Sequence, residues 1–182
     1  MTIKANTLCI TEIPFGLPGK IYRSPMPFGK EDPYGIALKE YKENKVKKVY
    51  VLLSKIPAKL VTEYSSAGIS AILIYCPELK APDLNILRPM INAISLDIIA
   101  GNNIAVHCHA GVGRTGAVLA CLAKELLKLD GGNAIEFIRK YVPGAIETGK
   151  QEVDCTPDTG RNMLEYPTGS PAPKIGAERI LS

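Results

Sequence analysis

The stretch that decides the fold is residues 102–116, which read NNIAVHCHAGVGRTG. Its first six residues form a short apolar run, which is typical of a buried strand. Residues 117–129 are apolar at helical spacing and predict a helix. Residues 107–116 are therefore expected to form a loop between a strand and the first turn of a helix. In open α/β sheets, ligands bind at this carboxyl end of a strand.

The predicted loop carries the residue types that a sulfur nucleophile needs to attack a phosphate. Cys108 and Arg114 are six positions apart, with Gly111 and Gly113 between them. The glycines allow successive backbone N–H groups to converge on one centre, where the helix dipole adds partial positive charge. An ordinary thiol has a pKa of about 8.5, so such surroundings are needed to favour a thiolate at neutral pH. We therefore expect an anion-binding loop with Cys108 as its nucleophile.

Three neighbouring residues support this interpretation. The planar guanidinium of Arg114 can grip two phosphate oxygens and stabilise the charge of a transition state. The hydroxyl of Thr115 is expected next to the sulfur, where it can donate to it as it leaves. We expect the ring of His107, at the end of the strand, to bond backbone carbonyls and brace the loop instead of acting as a base.

Each motif residue also has a simpler interpretation when it is taken alone. A lone cysteine is most often a small buried hydrophobe, and a lone loop histidine such as His109 is usually just exposed. The fixed spacing of the whole motif and its strand-loop-helix context favour the functional interpretation. The residues expected to contact the substrate are His109, Ala110, Gly111, Val112, Gly113 and Arg114.

The motif resembles the signature of the cysteine-dependent protein tyrosine phosphatases, nearest to their compact dual-specificity branch. Residues 21–25, IYRSP, are similar to a Tyr-Arg-Ser segment of those enzymes. Residues 139–151, RKYVPGAIETGKQ, are similar to their later Pro-Gly-Ala-Ile segment. The resemblance covers roughly residues 20–152. It implies hydrolysis of phosphomonoesters through a cysteinyl-phosphate, with no metal and no cofactor.

Expulsion of an alkoxide or phenoxide requires a proton from a positioned carboxylic acid. The resemblance implies an Asp on a loop before the cysteine, where this chain has residues 76–84, CPELKAPDL. Glu78 lies four residues before Pro82, where the family's Asp normally lies, and we assign it as the acid. Asp83 precedes an apolar helical pattern and is expected to cap that helix, but it remains the alternative acid. Gln151 resembles the family glutamine that orients the hydrolytic water.

Composition sets limits on the class of protein. The chain has 182 residues, 46% of them hydrophobic and 22% charged, which suits one soluble domain. A net charge of +4 suits an anionic substrate but is too weak to indicate nucleic-acid binding. We expect no membrane span and no secretory leader. The cysteines, which show no paired or metal-like spacing and so favour a reducing cytoplasm, are Cys9, Cys76, Cys108, Cys121 and Cys155.

Predicted strands and helices alternate along the chain. The predicted strands are 7–13, 20–23, 46–54, 69–75 and 102–107, and the predicted helices are 33–44, 57–66, 83–100, 117–129 and 134–141. Pro89 should kink its helix or delay its start, residues 130–132 predict a turn, and residues 148–154 predict a further helical turn. This alternation indicates an α/β fold with a mostly parallel central sheet covered by helices on both faces. Residues 1–155 are expected to form the phosphatase domain and residues 156–182 an extended or partly disordered tail.

Several functions fit the motif to different degrees. The leading hypothesis is a phosphatase of phosphotyrosine, and also of phosphoserine or phosphothreonine, on proteins. A phosphatase of phosphoinositides or RNA 5′ ends is the first alternative, although lipid-directed relatives place lysines in the loop, which has Ala110 and Val112 here. A phosphate-binding module without turnover is a second, and a rhodanese-type sulfur transferase a third. The presence of both Cys108 and Arg114 disfavours a module without turnover. The Gly-x-Gly-Arg-Thr-Gly run disfavours a sulfur transferase. The sequence leaves the oligomeric state open and is compatible with a monomer.

Overall fold

A computed structural model of the protein describes residues 9–77 and 84–146. In these ranges one sheet is formed by the strands β1 (Thr11–Ile13), β2 (Ile21–Ser24), β3 (Lys48–Leu53), β4 (Ser70–Tyr75) and β5 (Ile104–His107). Their order across the sheet is β1-β2-β5-β3-β4. β1 is antiparallel to β2, and every other pairing is parallel. The sheet is therefore mostly parallel, as predicted, with β5 at its centre.

The helices in the described ranges are α1 (Ile36–Glu43), α2 (Ala58–Ser66), α3 (Leu84–Ile99), α4 (Gly113–Leu127) and α5 (Gly131–Arg139). One hydrophobic core packs α1 and α2 on one face of the sheet through residues such as Tyr41 and Leu60. A second core packs α3, α4 and α5 on the other face through residues such as Ile94 and Leu119. The prediction of helices on both faces is thus confirmed.

The central strand β5 is buried along its whole length. Ile104 and Val106 belong to the core beside α3, α4 and α5, whereas Ala105 belongs to the core beside α1 and α2. This division follows from the alternation of side chains across a strand. Because β2 and β3 flank β5 in parallel, the loop that follows His107 emerges at the middle of the sheet's carboxyl edge.

Three helix starts differ from the prediction by three or four residues. The helix expected from residue 33 begins at Ile36, because the Asp32 carboxylate accepts the backbone N–H groups of Ile36 and Ala37 at 2.8 and 2.9 Å. The helix expected from residue 117 begins at Gly113, so α4 includes the last part of the motif. The prediction of a turn at 130–132 is wrong, because α5 begins at Gly131 and Asp130 caps it.

Asp130 accepts the N–H of Asn133 at 2.9 Å, which satisfies one of the donors that a helix start leaves open. Pro89 lies inside α3, whose described part already begins at Leu84, so the proline does not delay this helix. The predicted helical turn at 148–154 and the tail at 156–182 lie outside the described residues. In the described part, no helix has the length and apolar character needed to cross a membrane.

Candidate active site

Cys108 follows directly on β5 and is buried, with 3% of its surface exposed. The backbone N–H of Gly111 donates a hydrogen bond to its Sγ at 3.3 Å. Gly111 has a φ of 74°, in the left-handed region that glycine enters without strain. The loop therefore turns back over the sulfur and aims a main-chain donor at it, as expected for a site that holds an anion.

The start of α4 lies immediately after this turn. The N–H of Gly116 donates to the carbonyl of Val112 at 2.8 Å. The amides of residues 113–115 precede that bond, so they have no acceptor within the helix. These amides and the positive end of the helix dipole favour an anion at the N-terminus of α4. A phosphate next to Cys108 would be stabilised by both these amides and the helix dipole.

Arg114 is the second residue of α4 and is buried. Its Nη1 donates to the carbonyl of Cys76, just past the end of β4, at 3.0 Å. This bond fixes the plane of the guanidinium, and the remaining donors of the fork have the geometry to bind two oxygens of a phosphate. A contact from the end of β4 thus orients the arginine of the motif.

The ring of His107 is fully buried beneath the loop. Its Nδ1 lies 2.9 Å from the carbonyl oxygen of Cys108, and its Nε2 lies 2.7 Å from the hydroxyl of Tyr64. Because a carbonyl only accepts, Nδ1 carries the proton and Tyr64 donates to Nε2. Burial lowers the pKa of His107 to about 4, although its bond to Cys108 acts in the opposite direction. A neutral imidazole therefore connects α2 to the backbone of the nucleophile.

The end of β2 supports the loop from the other side. The N–H of Met26 donates to the carbonyl of His109 at 2.8 Å. A Cβ on Gly111 would lie 2.0 Å from the carbonyl oxygen of Ser24, so the two backbones are in direct contact. The Ser24 hydroxyl, which donates to Pro25 O at 2.6 Å, is bonded to the hydroxyl of Tyr41. The IYRSP segment is thus a wall of the loop.

The Pro-Gly-Ala-Ile segment packs against the first turn of α4. A Cβ on Gly116 would lie 2.7 Å from the Cβ of Ala145, which leaves no room for a larger residue. The Nε of Arg139 donates to the carbonyl of Ala145 at 3.1 Å and holds this segment in place. Both segments that resemble the phosphatases therefore border the loop.

The other predicted site residues have different positions. Thr115 is buried, and within the described residues its hydroxyl has no hydrogen-bond partner, so it does not donate to the sulfur in this structure. The side chain of His109 is exposed, and those of Ala110 and Val112 are half-buried. The residues Glu78, Asp83 and Gln151 lie outside the described part.

A family model described as "Polymorphic toxin system, DSP-PTPase phosphatase" matches residues 28–125, which include β5, the loop and most of α4. The chain belongs to the dual-specificity branch of the cysteine-dependent protein tyrosine phosphatases.

Known proteins of this kind are similar to the chain over different lengths. The dual specificity protein phosphatase CDC14A of Mus musculus is 32% identical over 139 residues, which are 71% of this chain and 22% of that protein. The crystal structure of kinase associated phosphatase matches with a TM-score of 0.73 at 18% identity, over 84% of this chain and 94% of that one. PTPMT1 in complex with PI(5)P matches with a TM-score of 0.60 at 16% identity, over 81% and 94%. The chain spans about a tenth to a fifth of the length of the first curated relatives that it matches.

Some supports of this phosphatase site were not predicted from the sequence. The Cys76 carbonyl that orients Arg114 is a backbone group, and no residue pattern reveals it. Tyr64 lies on the buried face of α2, where helical spacing predicts only a core residue. The Cys76 thiol is itself buried, and this raises its pKa to about 11, although Arg114 acts in the opposite direction. Cys76 is therefore a thiol, not a thiolate, at neutral pH.

Proposed function

We propose that this phosphatase hydrolyses phosphomonoesters through a cysteinyl-phosphate on Cys108. Its substrates are phosphotyrosine, and also phosphoserine or phosphothreonine, on proteins. The observation that carries the proposal is the position of the Cys108 sulfur, 3.3 Å from the N–H of Gly111 at the N-terminus of α4. Main-chain donors, a helix dipole and Arg114 act there on the same small volume, which suits a thiolate attacking a dianionic phosphate.

In the first step the sulfur attacks phosphorus, so an S–P bond forms and the P–O ester bond breaks. The leaving oxygen takes the electron pair and receives a proton from the general acid, which we assign to Glu78. Arg114 binds two of the non-bridging oxygens, and the backbone of residues 109–113 holds the third. The ester oxygen leaves as an alcohol or phenol.

In the second step water attacks phosphorus and the S–P bond breaks, which restores the thiolate and releases inorganic phosphate. The carboxylate formed in the first step takes the proton from this water, and Gln151 orients it. Thr115 donates to the sulfur as it leaves, which requires its buried hydroxyl to rotate toward Sγ. The cycle uses only groups of the chain and water.

The charge of the loop favours a protein substrate over a highly charged headgroup. Among its variable positions, Ala110 and Val112 carry no charge, and the loop contains no lysine. A phosphoinositide or an RNA 5′ end presents several anionic groups, which would call for more cations around Arg114. A thiolate nucleophile also requires reducing conditions, and we propose the cytoplasm as the location.

A substrate panel tests the proposal. It compares a phosphotyrosine peptide, a phosphothreonine peptide, a phosphoinositide and an aryl phosphate, with Cys108→Ser as the blank. We expect the phosphotyrosine peptide to have the highest kcat/KM. We expect the blank to lose roughly three to six orders of magnitude on every substrate. If the blank turned over substrate as fast as the parent enzyme, Cys108 would not be the nucleophile. If the phosphoinositide had the highest kcat/KM, the proposal of a protein substrate would be wrong.

The choice of acid has its own test. Glu78→Gln should lower turnover of alkyl phosphates far more than turnover of aryl phosphates with good leaving groups, because only the former need the proton. Asp83→Ala should mainly lower the free energy of unfolding, as loss of a helix cap does, by about 1 kcal/mol. The opposite pair of phenotypes would assign the acid to Asp83.

A further inference from the structure

One arginine beside the loop has no partner of opposite charge among the residues that the structure describes. Arg23 is the third residue of β2, and its side chain is half-buried. Its Nε is fully buried and has no hydrogen-bond acceptor among the described residues. Burial of a polar N–H without a partner is unfavourable, so the unpaired Nε of this half-buried guanidinium calls for an explanation.

The charged side chains that are buried in the described ranges all have partners. Asp32 accepts two N–H groups at the start of α1, and Glu40 accepts the N–H of Ile10 at 2.8 Å. Glu125 lies 3.4 Å from the Nζ of Lys128, and Arg114 donates to a carbonyl. The buried Nε of the half-buried Arg23 has no such partner among the described residues.

The position of Arg23 places it next to the phosphate loop. Its register partner on β5 is Val106, two residues before Cys108, and adjacent strands lie about 4.8 Å apart. The following residues of β2 form the wall that contacts Gly111 and His109. The guanidinium therefore belongs to the same edge of the sheet as the nucleophile, on the β2 side of the loop.

The ionisable groups of the described residues that act on Arg23 include no carboxylate. They are Cys9, Tyr41 and Cys108. Burial raises the pKa of Cys9 to about 11 and raises that of Tyr41, so both are neutral at physiological pH. In the described part no carboxylate is therefore left to compensate this charge, and a bound ligand is the natural source of one.

We propose that Arg23 is a second anion-binding group of the substrate cleft, which takes the carboxylate of an acidic residue adjacent to the phosphorylated residue of a peptide. The inference rests on the proposed function, and it adds a sequence preference to it. Arg114 serves the phosphate that is cleaved, so a charge elsewhere on the substrate needs a separate cation. One extra cation suits one extra carboxylate better than it suits a polyphosphate headgroup.

The test compares phosphotyrosine peptides that differ only in an Asp or an Asn directly before or directly after the phosphorylated residue. Dissociation constants are measured with Cys108→Ser, and kcat and KM with the parent enzyme. At one of the two positions we expect about tenfold tighter binding of the Asp peptide, expressed in KM, as for a charge-assisted hydrogen bond. Arg23→Gln should abolish this ratio, and Arg23→Lys should keep part of it.

The matched control is Lys42→Gln. Lys42 is exposed in the last turn of α1, next to Asn44, whose carbonyl bonds Asn103 at the opposite end of β5. The control removes the same charge from the molecule but should keep the full Asp-to-Asn ratio. If the Asp-to-Asn ratio fell equally in Arg23→Gln and Lys42→Gln, the effect would come from the net charge of the protein, and the proposal would be overturned.

Four further results would overturn the proposal. One is an equal affinity of the parent for Asp and Asn peptides at both positions, and another is an unchanged ratio in Arg23→Gln. The third is a loss of kcat in Arg23→Gln that is equal on the Asn and Asp peptides, which would mean that Arg23 stabilises the thiolate instead of binding the substrate carboxylate. If an inositol polyphosphate alone lost affinity in Arg23→Gln, the occupant would not be a peptide. Turnover of the Asn peptide by the parent tests the proposed function separately.

Discussion

The buried imidazole of His107 shows how one side chain can fix a catalytic backbone. It has two neighbours that differ in their hydrogen-bonding capacity, a carbonyl that only accepts and a hydroxyl that can donate. The carbonyl fixes the proton of the neutral ring on Nδ1, so that Nε2 accepts from Tyr64, and burial disfavours the imidazolium. The neutral ring thus forms a hydrogen-bonded bridge between Tyr64 on α2 and the backbone of the loop.

The titration of His107 can be measured directly. Its pKa of about 4 in the folded protein is below the 6.5 of an unfolded histidine, so folding favours the neutral ring. Its contribution to stability is fully present above pH 6.5 and is lost as the pH falls through 4. In NMR spectra of the imidazole protons, we expect one signal to remain unshifted until about pH 4. The variant His109→Gln assigns the signal, and a midpoint near 6.5 would contradict this prediction.

Removal of the Arg23 charge should not destabilise the protein. Because the guanidinium has no partner in the described part, Arg23→Met should leave the free energy of unfolding unchanged or raise it. The matched variant is Lys48→Met, which removes a cation that lies 2.6 Å from the largely buried Asp97. This second change should cost about 1–3 kcal/mol in urea unfolding. A larger loss in Arg23→Met than in Lys48→Met would show that Arg23 has a structural partner.

At the level of elements, the strand, the loop and the helix form one unit whose geometry depends on Gly111. Alanine at this position would be strained at a φ of 74°, and its Cβ would lie 2.0 Å from Ser24 O. Gly111→Ala should therefore lower kcat/KM on an aryl phosphate by at least about a hundredfold, because even a small displacement of catalytic groups is costly.

Gly68 provides the control for backbone strain. It has a φ of 69°, but a Cβ there would meet nothing within 4 Å. Gly68→Ala should cost about 1 kcal/mol of stability from the left-handed conformation and leave kcat/KM unchanged. Equal effects of the two substitutions on kcat/KM would show that the contact with Ser24 does not matter.

The sequence predicted the elements well and their starts less well. The apolar patterns located β5 and the helix after it, because residues 117–123 are all buried in one hydrophobic core. It missed the first turn of α4, since Gly113 and Gly116 are poor helix formers that only tertiary packing retains there. The same holds for α5, where two glycines suggested a turn but the Asp130 cap starts a helix.

The candidate site was predictable only where its residues lie together in the chain. Cys108 and Arg114 follow from a local motif, and the structure puts them at the two ends of one loop, Cys108 just after β5 and Arg114 in the first turn of α4. The contacts of Tyr64, Ser24 and the Cys76 carbonyl join segments that are remote in sequence, and one of them involves a backbone atom. No periodicity or spacing encodes such contacts, which depend on the completed sheet.

At the scale of the whole molecule, one sheet separates two hydrophobic cores within the described residues. β3 contributes Tyr50 and Leu52 to one core and Val49 and Val51 to the other. Each layer of helices therefore depends on strands that the other layer also covers. This sharing predicts that the described part unfolds as one cooperative unit.

Core truncations test this cooperativity. Ile94→Ala and Leu60→Ala remove buried side chains from opposite faces of the sheet, and each should cost about 2–5 kcal/mol. Circular dichroism and tyrosine fluorescence should report the same single transition in urea for both variants. The control is Leu96→Ala. The side chain of Leu96 is 66% exposed, so this substitution should lower the free energy of unfolding by less than about 0.5 kcal/mol. Two separate transitions would mean that the cores fold independently.

The contact between Gly111 and the Ser24 carbonyl has a consequence for protein engineering. Transplanting residues 107–116 alone onto another strand and helix would leave the turn over the sulfur without its outer wall, and the peptide would relax away from that shape. A graft that brings residues 21–26 as a neighbouring parallel strand would supply the missing surface. The smallest transferable piece of this phosphatase is therefore discontinuous, made of two strand ends and one helix start.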